Sequence, residues 1–352
     1  MDKIQTKIIK VNERKPEKEL VMEGVDLIRK GKLVAFPTET VYGLGANGLN
    51  QEAVKKIFMA KGRPQDNPLI LHTSSIEDIR PLVKSISKEA EMIMKRFWPG
   101  PLTILFKKSS LVPEIITAGL DTVAIRMPNH PIALELIKES GVPIAAPSAN
   151  TSGKPSPTSA RHVIEDLHGK IHMIIDGGNT GVGLESTVLD LTQKTPMILR
   201  PGGITLEDLQ KIIPNVEEDL SIVKDDKDII PKSPGQKYRH YAPKADMIVF
   251  SGKLEDIVME IKTKTKEYIS KGKTVGIMAT EETKTRYEEG LIISVGNREN
   301  METIGHNLFN TIRQFDEEDV DIILAEGVKK SQIGTAIMNR LKKASGGKII
   351  KV

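Results

Sequence analysis

Leu33-Val34-Ala35-Phe36-Pro37-Thr38-Glu39-Thr40-Val41-Tyr42-Gly43-Leu44-Gly45 decides the fold class, because four apolar residues run into a proline and then into hydroxyls and glycines. A short apolar run stopped by proline reads as a buried strand. Hydroxyls and backbone amides at the carboxyl end of such a strand are common ligand contacts in α/β sheets. The alternative is a turn that uses its glycines for positive φ. Just beyond, Ala53, Val54, Ile57 and Phe58 recur at helical spacing within 51–61.

The same alternation continues outward. Strands are expected at 68–72, 102–106, 122–126, 143–146, 173–176 and 186–191, and helices at 87–97, 131–140 and 158–167. Trp98-Pro99-Gly100-Pro101 is a strong breaker. Residues 1–213 therefore form a mixed α/β domain. Residues 214–245 interrupt the rhythm with Asp225, Asp226, Asp228, Pro231, Pro234 and Pro243, and read as a linker. Within 246–352, strands at 247–250, 274–279, 291–295 and 320–325 alternate with helices at 254–270, 301–315 and 334–344. That pattern predicts a smaller, parallel, doubly wound sheet. It lacks G-x-G-x-x-G, so nothing marks it as a dinucleotide site.

Composition removes several function classes. Among 352 residues the formal charge is +4, too little for an electrostatic nucleic-acid coat. There is no cysteine, which excludes disulfide frameworks, thiolate zinc sites and cysteine nucleophiles. No apolar run is long enough to span a bilayer, and the start of the chain lacks a signal core, so a soluble cytoplasmic protein is expected. Aromatics are only 4%, which weakens any base-stacking surface.

Polar residues gather in a few segments. Lys61-Gly62-Arg63-Pro64-Gln65-Asp66-Asn67-Pro68 is stiffened by its prolines and offers two cations and an amide, either as a phosphate clamp or as the basic end of a helix. His72 stands at a strand end, where a structural role is the ordinary one. In Asp121-Thr122-Val123-Ala124-Ile125-Arg126, alternation puts Thr122, Ala124 and Arg126 on one face. An arginine there requires an anion, internal or from a ligand. Ala145-Ala146-Pro147-Ser148-Ala149-Asn150 and the residues on to Thr158 leave much backbone amide accessible, as anion sites require. Glu185-Ser186-Thr187-Val188 and Leu199-Arg200-Pro201-Gly202-Gly203 complete the set. A Walker loop, H-E-x-x-H and G-x-S-x-G are all missing. The inventory suits positioning of anions better than covalent catalysis.

Taken in order, these motifs resemble the Sua5/YrdC/YciO family, and Ser233-Pro234-Gly235-Gln236-Lys237-Tyr238-Arg239-His240-Tyr241-Ala242-Pro243 resembles the linker of its two-domain branch. The resemblance implies a YrdC-like twisted mixed sheet with helices, followed by a Rossmann-like parallel domain. It implies an enzyme that condenses L-threonine, bicarbonate and ATP, with Mg2+, to threonylcarbamoyl-AMP and pyrophosphate. The product would feed a separate threonylcarbamoyl-transferase complex acting on adenosine 37 of tRNA. By resemblance, Thr40, His72, Arg126, Ala146 and Ser186 would contact threonine or its carbamate. Lys61, Arg63, Asn67, Thr122, Ser148, Ser156, Arg200 and a linker tyrosine, Tyr238 or Tyr241, would contact ATP. Two readings compete: an RNA-binding module of the same fold, and a carbamoyltransferase subdomain, whose cysteine-bearing companion segments this chain lacks. Residues 233–243 hold two of the five tyrosines between prolines, which suggests a lid over the nucleotide rather than a tether.

Overall fold

The computed structural model of the chain describes residues 4–219 and 240–352. These fall into two units. The first contains 4–152, 156–181 and 185–219, and the second contains 240–352 together with Gly153–Pro155 and Val182–Leu184. Within the second unit, Ala242 N donates to Gly153 O at 2.9 Å and Arg313 Nη2 donates to Pro155 O at 2.7 Å, which accounts for the first of those tripeptides.

Chain order in the first unit begins β1 (Lys7–Lys10), α1 (Lys18–Arg29), β2 (Val34–Phe36), β3 (Gly43–Asn47), α2 (Gln51–Lys61) and β4 (Ile70–His72). It continues with α3 (Lys88–Phe97), β5 (Leu102–Lys107), α4 (Glu114–Thr117), β6 (Thr122–Arg126), α5 (Pro131–Ser140) and β7 (Ile144–Ala145). It ends with α6 (Ala160–Leu167), β8 (Met173–Asp176), β9 (Thr187–Asp190), β10 (Met197–Arg200), α7 (Leu206–Gln210) and β11 (Glu217–Glu218). The strands form one mixed sheet of eleven, in the order β1-β8-β2-β3-β7-β4-β6-β5-β9-β10-β11. Residues 217–218, expected in the linker, instead pair in parallel with β10.

Local chemistry sets the boundaries that matter for the site. Asn50 caps α2 by accepting from the amides of Glu52 and Ala53, and Gly62 ends it at φ 63° in the left-handed region. This sets Lys61 inside the last turn and Arg63 outside it. Gly43 and Gly45 lie in β3, not in a turn, and neither has positive φ. A Cβ on Gly45 would stand 2.8 Å from the Phe36 ring and 3.0 Å from Ile144, so close strand packing requires the glycine.

The two faces of the sheet are covered differently. On one, α1 and α5 bury Val21, Val25, Ile28, Leu136 and Ile137 against Val34, Phe36 and Ile175. Each such side chain contributes about 1.5–3 kcal/mol by leaving water. A second core joins α2, α3 and α6 to the sheet through Val54, Ile57, Ile93 and Val163, with Val123 and Ile125 facing it from β6. Ala124 faces the other way, into a small cluster with Ile70, Leu105, Val188 and Leu199 that contains strand residues only. His72, Thr103 and Arg126 are two residues from Ile70, Leu105 and Ala124, so they share that strand-only patch, which continues the face that α1 and α5 cover, since Ile144 of that core stands opposite His72 in register.

The second unit is a parallel sheet in the order β14-β13-β15-β12-β16, built from β12 (Asp246–Ser251), α8 (Leu254–Ser270), β13 (Val275–Ala279) and β14 (Leu291–Ser294). It continues with α9 (Met301–Glu317), β15 (Ile322–Glu326), α10 (Ile333–Ala344) and β16 (Ile349–Lys351). This is the doubly wound arrangement that the alternation predicts. At the carboxyl end of β15, buried Glu326 accepts from Thr280, Thr283, Tyr287 and Arg298 at 2.5–3.0 Å. Four donors satisfy that carboxylate within the fold. Among the described residues no helix is long and apolar enough to cross a membrane.

Candidate active site

The site grows from the pairing of three strands. His72 of β4 and Thr103 of β5 both stand opposite Arg126 of β6 in register. Arg126 is 4% exposed. Its Nε donates to Gly100 O at 3.2 Å and its Nη1 donates to Thr40 Oγ1 at 2.8 Å. Its Nη2 lies 2.7 Å from Glu39 Oε2. That distance makes an ion pair, yet neither Glu39 oxygen receives an aligned hydrogen bond. An internal anion, Glu39, therefore stands beside this buried arginine without closing a hydrogen bond to it.

Glu39 and Thr40 are held by a hydroxyl-closed turn. Thr38 Oγ1 accepts from the amides of Thr40 and Val41 at 3.2 and 3.3 Å and donates to Val41 O at 2.7 Å. Across the sheet, Thr103 Oγ1 lies 2.7 Å from Ser186 Oγ. Arg200 donates to Ser186 O from Nε at 3.0 Å and to Ser186 Oγ from Nη2 at 3.1 Å. Thr40, Arg126, Thr103, Ser186 and Arg200 thus lie on one continuous polar strip. His72 faces it as a neutral ring, because burial and then the Arg126 charge push its pKa down to about 3. Ala146 follows β7, and its amide donates to Ile70 O at 3.1 Å.

The two Gly- and Ser-rich motifs, distant in sequence, are neighbours in space. Leu44 N donates to Pro147 O, Ala149 N to Tyr42 O, and Tyr42 N to Pro157 O, each at 2.8 Å. Lys61 pins the second motif from below. Its Nζ donates to Ser148 O at 2.5 Å, Asn150 O at 2.6 Å and Asn150 Oδ1 at 3.3 Å. Burial, then Arg63, drives the Lys61 pKa well below the usual lysine range. All three of these acceptors belong to that loop. Arg63 Nη2 donates to Asn67 O at 3.3 Å and Pro68 O at 3.0 Å. Lys61 thus lies in the last turn of α2, as the helix-end reading expects, while these bonds of both cations go to loop oxygens.

The remaining expected residues separate. Ser156 Oγ donates to Glu185 Oε1 at 2.5 Å, which ties the loop to the start of β9. Thr122 shares the Arg126 face but sits at the other end of β6, about 13 Å away at the usual strand rise. Asn67 is 1% exposed, beside Arg63. Tyr241 packs inside the second unit, its ring 4.9 Å from Phe309 and 5.8 Å from the Arg340 guanidinium carbon. Tyr238, and most of the segment expected to form a lid, lie outside the described residues.

Three site residues escaped the sequence reading. Thr103 sits in an apolar run and carries no motif. Glu39 and Glu185 stand within motifs whose local pattern assigns them no role. An acid flanked by the hydroxyls of Thr38 and Thr40 was the available signal for Glu39.

With this geometry in place, comparison with known proteins is decisive. Residues 26–202 match the Sua5, YciO and YrdC family model, described as telomere recombination. Residues 204–346 match the model described as threonylcarbamoyl-AMP synthase, C-terminal domain. The chain belongs to the Sua5/YrdC/YciO family. Within this family, the threonylcarbamoyl-AMP synthase of Pyrococcus abyssi is 52% identical over 99% of this chain and 100% of its own length. That of Bacillus subtilis is 50% identical over 94% of each. The crystal structure of P. abyssi Sua5 complexed with L-threonine superposes with a TM-score of 0.94 at 52% identity, covering 99% of this chain and 100% of that one.

Proposed function

We propose that the protein is a threonylcarbamoyl-AMP synthase, condensing L-threonine, bicarbonate and ATP to threonylcarbamoyl-AMP and pyrophosphate. The observation that carries this reading is the buried Arg126 guanidinium bonded to the Thr40 hydroxyl, with Thr103 of the Thr103–Ser186 hydroxyl pair opposite it in register, in a family whose P. abyssi member has been crystallised with L-threonine. Arg126 takes the amino-acid carboxylate, a charge-assisted pairing in a dry pocket. Thr40 and Ser186 offer hydroxyls to the substrate hydroxyl and the carbamate, while His72 and the Ala146 backbone close the side of the pocket. Because His72 stays neutral, it offers a hydrogen bond without repelling Arg126 further.

The nucleotide half uses Arg63, Asn67, Ser148, Ser156, Arg200 and Thr122, with Lys61 acting through the loop it pins. The threonine amine attacks the bicarbonate carbon, and the carbamate oxygen formed there displaces pyrophosphate from the α-phosphorus. No side chain has to form a covalent intermediate. Catalysis then rests on positioning and charge compensation. Mg2+ enters with the triphosphate. Among the described residues no group of three or more His, Cys, Asp or Glu side chains could hold a metal, and the donor set of the site suits an ion carried by phosphate oxygens.

The product is a mixed anhydride that water destroys, so a transferase must consume it, here the complex that modifies adenosine 37 of tRNA. Mass spectrometry of purified protein with threonine, bicarbonate and MgATP tests the proposal. Threonylcarbamoyl-AMP formed without RNA supports it, and ATP consumption without that mass contradicts it.

A further inference from the structure

A zwitterionic amino acid has two charges to place, and Arg126 answers only one of them. Beside it stands Glu39, whose two carboxylate oxygens are buried, 2.7 Å from Arg126 Nη2 at the nearer atom, and accept no aligned hydrogen bond. A carboxylate left without donors in a buried pocket is costly unless something else uses it. The turn closed by Thr38 keeps Glu39 next to Thr40, whose hydroxyl already bonds Arg126. Adjacent positive and negative groups of this kind match the carboxylate and ammonium of one α-amino acid.

We propose that Glu39 binds the ammonium of the amino-acid substrate and is the base that takes its proton when carbamate forms. The inference rests on the function proposed above. The amino group of threonine arrives largely as ammonium at neutral pH, since α-amino groups titrate at about 8 or above, and ammonium has no lone pair. Glu39 accepts one proton from it. The freed amine then forms the N–C bond to bicarbonate, the C–OH bond breaks, and hydroxide leaves as water with a second proton from the nitrogen. Carbamate and water are the products of that step, with one proton left on Glu39.

His72 is the other base on the strip, and it is the poorer one: burial and Arg126 hold its protonated form far out of reach. The charged and titratable groups around Glu39 are Arg126 from β6 and His130 ahead of α5. His72 in turn faces Arg126, and Glu13 faces His130. Burial lowers the His130 pKa, which favours its neutral ring beside Glu39 toward the upper end of the range from pH 6.5 to 8.

The test is the pH dependence of kcat/KM for threonine in Glu39→Gln. At pH 7 the variant should lose on the order of 100-fold or more. Its residual activity should rise about tenfold per pH unit from 6.5 to 8, because only free amine reacts, while the intact protein stays nearly flat. Glu39→Asp keeps a carboxylate and should stay flat at a reduced rate, which also covers the case in which the glutamine variant folds poorly. A flat profile in Glu39→Gln, with the loss confined to KM, would make Glu39 a mere prop for Arg126 and overturn the proposal, as would a rising profile in Glu39→Asp. Product identity in the intact protein, read by mass, tests the proposed function separately.

Discussion

Thr103 Oγ1 and Ser186 Oγ lie 2.7 Å apart, joining β5 to the residue that leads into β9. Arg200 donates to the same Ser186 hydroxyl. One serine is thus oriented from two sides. Thr103→Val keeps the shape and removes one of those bonds, at a cost of about 1 kcal/mol. The KM for threonine should rise roughly fivefold, with little change in thermal stability. Steady-state kinetics that leave KM unchanged would show that the hydroxyl pair does not orient Ser186.

Lys61 spends its protons on the loop carrying Ser148 and Asn150. Lys61→Met should leave those carbonyls unsatisfied, each at about 1–3 kcal/mol, and loosen the loop. Amide hydrogen exchange over 147–152 should accelerate, and ATP affinity should fall with it. Weaker ATP binding with unchanged exchange would instead place the Lys61 amine directly on the phosphates.

His72 links stability to pH in a definite direction. Its folded pKa of about 3 lies below the unfolded value of about 6.5. Above pH 6.5 both states carry a neutral ring and the contribution is whole. As pH falls from 6.5 toward 3, the unfolded chain binds a proton that the folded one refuses, so up to about 1.4 kcal/mol is lost per unit. Urea unfolding between pH 7 and 5 should show a shallower decline in His72→Asn than in the intact protein. Parallel declines would mean that His72 titrates normally.

Much of this fold was readable because buried strands and amphipathic helices leave strong patterns. The 51–61 helix and the 122–126 strand fall where their apolar spacing puts them. Gly43–Asn47 did not read as a strand, because glycines chosen to let Phe36 and Ile144 approach carry no side-chain pattern. The site was legible in its motifs and not in its wiring. Lys61 meets Ser148 across 87 residues, and Thr103 meets Ser186 across 83. Pairings of that range follow from sheet order, which the local sequence does not carry.

Tyr241 illustrates the same limit. Read as part of a lid, its ring is committed to Phe309 and Arg340 inside the second unit. Tyr241→Ala should destabilise that unit by about 3 kcal/mol or more and leave threonine affinity intact. A variant with an unchanged melting transition but faster nucleotide loss would assign this residue to the lid.

Arg126 carries the central claim, that the strand-only patch of the sheet holds an amino-acid carboxylate. Calorimetric titration of L-threonine into the intact protein and into Arg126→Gln, each checked for folding by its melting transition, tests it most directly. The expected result is a loss of roughly 2–5 kcal/mol in threonine binding with ATP binding retained. A folded Arg126→Gln that binds threonine as tightly as the intact protein would contradict the assignment.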